Sequence, residues 1–402
     1  MKKRTKESEK KKGDGKKELL FIIIILAICF LLRLFLTTCY YWDELVYLQH
    51  AEIISGKVDN YNEFDFRPPL LPLLIAGLYL VWHNPIIANV FVSLLASFTI
   101  LFVYLAAKEM FGRKTAVIAA LLLTFWQIHI YFSKTLLVHT TAMFFASVFL
   151  VLLKRAENDK NKKNFLMFFL AGAFAGMAIL TRFTYLSLVP IILINIFLLR
   201  KKYNLKRLFC GLLGLLIVLL PYLIWAYSGY EDPFYTFKMA SLMTSWSTQQ
   251  PWYFYFTNFW PFLSWSGVFG LVFWLFFKIK DKKISREEIF LLAWLLLPLI
   301  YLSFMSHKEV RFLLILLIPI SMLSAIGFEK CSGKIKNNKI FILLFFLVLA
   351  ISFFTFSYNP YPRICETDAQ KASEWIMENT NVDEVIYANH EFTALAYYTA
   401  RR

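Results

Sequence analysis

Asp43 and Glu44 stand side by side at the head of YYWDELVYLQHAEIISGKVDNYNEFDFRPPL, residues 40–70, a stretch that closes on Arg67-Pro68-Pro69-Leu70. Carboxylates at the mouth of an apolar domain are costly to desolvate, so a role is to be sought for them; the plainer reading is a solvated acid at a helix start. A second cluster, SHKEVRF at 306–312, sets His307, Lys308, Glu309 and Arg311 within five positions between apolar runs. There Lys and Arg would hold a phosphate, His would donate to it and Glu would orient the cations. The alternative is an interfacial connector whose cations reach lipid headgroups. Lys134 in YFSKTLLVHTT and Arg182 in ILTRFTY lie at the ends of apolar runs, where each alone reads first as a snorkelling residue and second as a ligand. His139 reads equally as a pathway residue and as a helix residue facing a neighbour. The stretch WSTQQPWYFYFTNFWPFLSW, with Trp246, Trp252, Tyr253, Tyr255, Trp260 and Trp265, is an interfacial aromatic belt or a wall for sugar rings or a prenyl chain. No Gly-rich phosphate loop, HExxH or nucleophile elbow occurs, which argues against nucleotide hydrolysis as a power source.

Apolar segments must position these groups. Aliphatic and aromatic residues make up 59% of the 402 positions, with 42 Phe, more than a soluble domain can bury, so lipid is the solvent for most of the chain. Runs long enough to cross a bilayer lie at roughly 19–37, 86–107, 115–132, 137–153, 164–180, 183–199, 207–228, 258–277, 287–304, 311–329 and 339–357. The run 68–82 has three prolines and is read as a juxtamembrane or re-entrant helix that does not cross. The net charge of +16 points to sidedness and not to nucleic acid, because Lys and Arg cluster in the short connections. With 68–82 left outside, cytoplasmic segments carry 31 Lys and Arg against 11 on the outer face, with Arg33 inside the first span. That arrangement places Asp43, Glu44, Arg67, Lys134, His139, Arg182 and the 307–311 cluster on one outer face, as an active site or binding vestibule would require.

The N-terminal residues 1–18 read as a solvated basic cytoplasmic tail, retained with the following span as an anchor. The membrane domain covers 19–357, with an outer loop of juxtamembrane helices at 37–85. Residues 358–402 read as a short extracytoplasmic α/β segment: a helix capped by Asp368 with Ala372, Trp375 and Ile376 on one face, a strand EVIYAN and a second helix EFTALAYYTARR. This piece is too small to bury a core alone and must pack on the membrane domain or begin a further one. The five cysteines (29, 39, 210, 331 and 365) show no metal-type spacing. Cys39 and Cys365 fall on the same outer side, so a disulfide between them is allowed but not favoured.

These motifs resemble those of the GT-C superfamily of integral-membrane glycosyltransferases. The pair Asp43-Glu44 resembles the first-loop carboxylate pair of protein O-mannosyltransferases and aminoarabinose transferases, and Arg67-Pro68-Pro69-Leu70 resembles the His-Pro-Pro-Leu that follows it there. Ser133-Lys134-Thr135-Leu136-Leu137 resembles Ser-Arg-x-x-Leu-Leu-Asp, with Lys134 for Arg and Val138-His139 where the acid would stand. His307-Lys308-Glu309-Val310-Arg311-Phe312 is similar to the HKExRF motif of dolichyl-phosphate-mannose mannosyltransferases. The resemblance implies an all-α polytopic fold of about eleven spans with a catalytic first outer loop. It also implies inverting transfer of a mannose-like hexose or a pentose from a polyprenyl- or dolichyl-phosphate donor to a glycan, lipid or protein acceptor.

Sugar transfer from a polyprenyl phosphate needs a base for the acceptor hydroxyl and cations for the departing phosphate. Asp43 is the expected base. His307, Lys134, Arg311, Lys308, Arg67 and Arg182 are the expected phosphate ligands, Glu44 and Glu309 the orienting acids, and Trp252, Tyr253 and Tyr255 the sugar or lipid contacts. No cofactor is required; a divalent metal is compatible but not indicated, since the outer carboxylates form no evident cage. The partners expected are the lipid donor, its acceptor and membrane lipid, with no nucleic acid. The membrane expected is a prokaryotic plasma membrane, or in a eukaryote the endoplasmic reticulum with the site in the lumen. Competing classes are a transporter or flippase of lipid-linked or anionic solutes, which would place charges mid-span in pseudo-symmetric halves, and a non-catalytic donor-binding paralogue.

Overall fold

A computed structural model describes residues 2–34, 39–56, 67–159, 164–198, 204–246, 249–258, 260–335, 337–355, 364–381, 384, 386–387 and 392–399. Its helices in chain order are α1 (Lys2–Arg33), α2 (Trp42–Ile54), α3 (Leu70–Tyr79), α4 (Pro85–Phe111), α5 (Arg113–Thr124), α6 (Gln127–Ser133), α7 (Val138–Asn158), α8 (Phe165–Thr181) and α9 (Leu188–Leu198). They continue as α10 (Leu205–Tyr230), α11 (Tyr235–Trp246), α12 (Phe254–Asn258), α13 (Trp260–Asp281), α14 (Arg286–Phe304), α15 (Leu317–Ser332), α16 (Asn338–Phe354), α17 (Glu366–Asn379) and α18 (Phe392–Thr399). The 3-10 turns Phe183–Ser187 and Val310–Leu316 lead into α9 and α15, and a two-residue antiparallel pair joins β1 (Cys39–Tyr40) to β2 (Ile364–Cys365).

Among the described residues, six helical stretches are long and apolar enough to cross a bilayer, and α5 with α6 make a seventh if the bent pair is one span. Helix α3 has 10 residues; at about 1.5 Å per residue it is half the length a bilayer requires. Helix ends follow local chemistry: Asn84 accepts from the Ile86 N–H ahead of α4, and Ser285 forms a capping box with Glu288 ahead of α14. Helices α7 and α15 are buried on nearly every side, whereas α10 turns Leu212, Ile217 and Ile224 outward, the pattern of a lipid-facing helix. Helix α10 meets α8 so closely that a Cβ on Gly172 would stand 1.8 Å from the Gly211 carbonyl oxygen, a small-residue crossing with no room for a side chain.

Two expected spans are broken. The run 115–132 bends by 61° between α5 and α6. Breaking a helix orphans carbonyls, and here Arg33 supplies the donors: its Nη2 reaches Leu123 O and Thr124 O, both at 3.1 Å, and its Nε bonds His129 Nδ1 at 3.2 Å. Arg33 is fully buried, so the lone cation in the first apolar segment is a backbone clamp. The run 258–277 breaks at Ser264 (φ 53°, ψ 157°), where Ser352 Oγ accepts from Ser266 N–H at 2.7 Å and Trp126 Nε1 donates to Phe262 O at 2.8 Å. The N-terminal helix starts at Lys2, so the basic tail is continuous with the first apolar helix and not a structureless piece.

At the other end of the chain, α17 begins two residues before Asp368, which lies inside the helix and does not cap it. Its buried face carries Ser373 and Ile376, while Ala372 and Trp375 are exposed. Residues 384, 386 and 387 of EVIYAN are not in a strand, the other three lying outside the described residues. Helix α18 packs along α2, with Tyr397 and Tyr398 against the core, so the C-terminal segment docks on the loop that follows α1. The remainder of that loop, 57–66, and the boundary at 358 lie outside the described residues.

Candidate active site

Helix α2 starts where Glu44 turns back on itself. Its buried carboxylate accepts from the Tyr41 N–H and, across the fold, from the Leu136 N–H, both at 2.6 Å. That fixes the start of α2 against the segment after α6 that carries Lys134. One residue along a helix points about 100° away, so Asp43 faces elsewhere. Its Oδ1 receives Arg67 Nη2 at 2.7 Å and its Oδ2 receives Arg311 Nη1 at 2.6 Å. Arg311 Nη2 continues to Glu309 Oε1 at 2.6 Å, and Glu309 Oε1 meets His307 Nε2 at 2.8 Å. The result is a chain of alternating charge, Arg67–Asp43–Arg311–Glu309, that ends on His307, each member retaining some exposure. Burial raises the pKa of Asp43, but Arg67 and Arg311 more than offset this and hold the carboxyl well below the usual range. For Arg67 burial works against the charge and Asp43 more than restores it.

Phe312 is the apolar hub beneath this chain. The Arg182 guanidinium lies 4.5 Å over its ring, the Arg311 guanidinium 6.0 Å, and His139 stacks on it at 6.2 Å. Arg182 donates to Thr184 Oγ1 at 3.1 Å and, among the described residues, has no carboxylate within ion-pair distance. Burial and then the neighbouring Arg311 disfavour the Arg182 charge, which an incoming anion would relieve. His139 is buried with neither ring nitrogen bonded among the described residues. Three guanidinium groups face two carboxylates, so the cluster carries a surplus positive charge.

Other expected ligands are placed differently. Lys308 turns away from the carboxylates: its Nζ donates to Gln250 O at 2.7 Å and to Met305 O, and its N–H to Gln250 Oε1 at 2.7 Å. Two carbonyls thus take its donors, and it ties the loop at 249–253 to the one at 305–308. Lys134 caps α6, two residues before the N–H that Glu44 holds. Trp252 and Tyr253 are largely exposed, while Tyr255 is fully buried; burial, offset in part by Arg182, pushes its phenol up. The side chains of Trp246 and Trp260 lie outside the described residues.

Two cavities flank the charged chain. One of about 580 Å³ has Arg67 and His50 at its rim and otherwise apolar walls, including Leu73, Met177, Leu180, Val218 and Trp225. The other, about 480 Å³, carries Arg182, Thr184, Ser241, Ser245 and Ser306 among aromatic residues. Sequence reasoning missed Trp42 and Tyr47, which sandwich the Arg67 guanidinium at 5.2 and 5.3 Å, and Phe312 as a platform. The aromatic at the end of the HKEVRF cluster was the available signal for the latter. Among the described residues no three His, Cys, Asp or Glu side chains converge as a metal-ligand set.

The family model for dolichyl-phosphate-mannose-protein mannosyltransferase matches residues 66–225. No curated protein sequence matches the chain. Among solved structures, ArnT from Cupriavidus metallidurans in the apo state is similar with a TM-score of 0.67 at 13% identity, over 97% of this chain and 85% of that one. The same protein bound to undecaprenyl phosphate gives 0.62 at 13% identity, over 96% and 75%. The Archaeoglobus fulgidus oligosaccharyltransferase, in complex with Zn and sulfate, gives 0.64 at 17% identity, over 95% of this chain and 61% of that one. The likeness is one of fold: the chain is a polytopic membrane protein with the GT-C architecture.

Proposed function

We propose that this GT-C-fold membrane protein is an inverting glycosyltransferase that moves a mannose-like hexose or a pentose from a polyprenyl- or dolichyl-phosphate donor to an acceptor hydroxyl of a glycan, lipid or protein. The observation that carries this reading is Asp43 held between Arg67, which lines an apolar cavity, and Arg311, whose neighbour Phe312 lines a hydroxyl-bearing one. The match of residues 66–225 to a mannosyltransferase family and the fold shared with an undecaprenyl-phosphate-bound protein support it. Residues 19–357 form the transferase unit and 358–402 a segment docked on it. The basic asymmetry supports an extracytoplasmic site, in the plasma membrane of a prokaryote.

The prenyl chain occupies the apolar cavity with its phosphate at Arg67, and sugar and acceptor meet beside Arg182. Without donor, both Asp43 oxygens are engaged by guanidinium groups, which makes it a weak base. A donor phosphate draws Arg67 and Arg311 toward itself, frees a carboxylate oxygen and lets the Asp43 pKa climb toward its ordinary value. Asp43 then takes the acceptor hydroxyl proton as that oxygen attacks the anomeric carbon. The bond to the phosphate breaks on the opposite face, and its electron pair leaves with the phosphate. Arg67 and Arg311, with Arg182 and His307, hold the negative charge that grows there. Glu309 orients Arg311 and His307. Glu44 acts through the α2 start and touches no substrate. These residues need no metal to perform the steps named.

The test is incubation of the purified protein in lipid nanodiscs with a panel of polyprenyl-phosphate sugars and acceptor mixtures, measuring released polyprenyl phosphate. Release that depends on Asp43 is expected. Donor binding without release would instead identify a donor-binding paralogue, and movement of intact lipid-linked sugar across vesicles would identify a transporter.

A further inference from the structure

We infer that Cys39 and Cys365 form an intrachain disulfide that fastens the C-terminal segment to the first outer loop. The antiparallel register of β1 and β2 sets Cys39 directly opposite Cys365 and Tyr40 opposite Ile364. Directly opposed residues of an antiparallel pair have Cα atoms about 4.5–5.5 Å apart, within the roughly 4.4–6.8 Å window that a disulfide spans. The other three of the five cysteines are free thiols within helices: Cys29 in α1, Cys210 in α10 and Cys331 in α15. The two cysteines that lie in strands are thus cross-strand partners in the backbone register, although 326 positions separate them in sequence.

A strand pair of two residues on each side is too short to hold chain ends together on hydrogen bonds alone. Placement of the segment does not rest on the strand pair only, because α18 packs along α2 independently, with Tyr397 and Tyr398 against the core. Both contacts bring the C-terminal segment to the first outer loop, four residues ahead of Asp43 at Cys39. Both cysteines also fall on the face assigned to the outside by the charge pattern, where disulfides form and persist. Oxidation proceeds by thiol–disulfide exchange with a disulfide oxidant. One cysteine thiolate attacks the oxidant to give a mixed disulfide, and the second displaces the oxidant's thiol. The two cysteines give up two protons and two electrons, and the oxidant's disulfide leaves as two thiols.

The experiment uses the full-length protein in membranes, reduced and then exposed to oxidised glutathione. Free thiols are blocked with N-ethylmaleimide under denaturing conditions. The protein is then reduced, labelled with an isotopically distinct maleimide and read by peptide mass spectrometry. The expected result is the second label on Cys39 and Cys365 and the first on Cys29, Cys210 and Cys331, with a 39–365 cross-linked peptide in the unreduced sample. Cys39→Ser should move Cys365 to the first label, and Cys365→Ser should do the same for Cys39. First-label modification of both in the parent protein, or linkage of either to another cysteine or a second molecule, overturns the inference. None of these readouts depends on sugar transfer, so the disulfide and the transferase reading stand or fall separately.

Discussion

Asp43 and Arg311 are 268 positions apart in sequence and 2.6 Å apart in space. The contact joins the start of α2 to the 3-10 turn between α14 and α15, and it makes the carboxylate and its cation interdependent. Removing Arg311 takes one of two cations from Asp43 and the guanidinium from Glu309; because Arg67 still pairs Asp43, the cost falls below the roughly 3–5 kcal/mol of leaving a buried charge wholly uncompensated. Arg311→Met should therefore lower stability together with activity. A swapped pair, Asp43→Arg with Arg311→Asp, should recover neither, because it sets a cation against Arg67 and a carboxylate against Glu309. Thermal unfolding in detergent beside a transfer assay checks both.

The depressed carboxyl of Asp43 sets a pH signature. Its folded pKa lies below the unfolded value of about 3.9, so its contribution to stability is fully present above that value. It is lost only as pH falls through the lower, folded value. Between pH 8 and pH 5 the Asp43 contribution should be flat. In Arg67→Gln one of the two compensating charges is gone and the folded pKa rises toward the unfolded one, so the acid-dependent loss of stability should be smaller than in the parent. Coincident acid-unfolding curves for the two proteins would show that Arg67 does not hold the carboxyl down.

Arg182 and Lys308 separate binding from scaffolding. Arg182→Ala should cut turnover by about 10²–10³ if it holds charge that grows on the leaving phosphate. Lys308→Ala should loosen the tie between Gln250 and Met305. It should lower thermal stability while donor affinity in the surviving folded protein stays near the parent's. Donor titration of both variants decides this. A Lys308→Ala protein with parental stability and lost donor affinity would return Lys308 to the phosphate.

Much of the frame was legible because it rests on length and charge: a run of about 20 apolar residues reads as a span wherever it falls. The Asp43 and HKEVRF clusters were legible because ionisable groups beside lipid demand a reason. What the sequence did not disclose depends on partners distant in the chain. Arg33 reads as a cation in a span until the carbonyls of Leu123 and Thr124 are beside it. Lys308 reads as a ligand next to His307 until Gln250 takes its donors. The breaks after Thr124 and at Ser264 are hidden in apolar runs that carry no proline at the break.

The Arg33 clamp makes its own prediction. Arg33→Met keeps the length of the side chain and withdraws the guanidinium donors from Leu123 O and Thr124 O, of which Leu123 O keeps the Trp126 N–H. Each buried carbonyl left without a partner costs about 1–3 kcal/mol. The variant should unfold at markedly lower temperature, and Arg33→Lys should recover only part of the loss because one ammonium cannot reach all of the guanidinium's acceptors. Equal unfolding midpoints for Arg33→Met and the parent would remove the clamp.

The last prediction concerns the apolar cavity beside Arg67. Its walls are contributed by α2, α3, α8 and α10, and α10 is the helix with its apolar face turned outward. A prenyl chain lying there would gain about 25 cal/mol for each Å² of apolar surface removed from water. Affinity should therefore grow with prenyl length until the cavity is filled. Val218→Trp places a bulky ring in that wall, on a helix that carries no member of the charged chain of Asp43 and Arg311. It should raise the KM for a long-chain donor by about tenfold or more, corresponding to about 1.4 kcal/mol of lost contact. It should leave kcat and the KM of a short-chain, water-soluble donor near the parent's. Donor titrations across a series of prenyl lengths read this directly. Equal losses for short and long donors would move the lipid out of this cavity and leave the phosphate site at Arg67 unconnected to it.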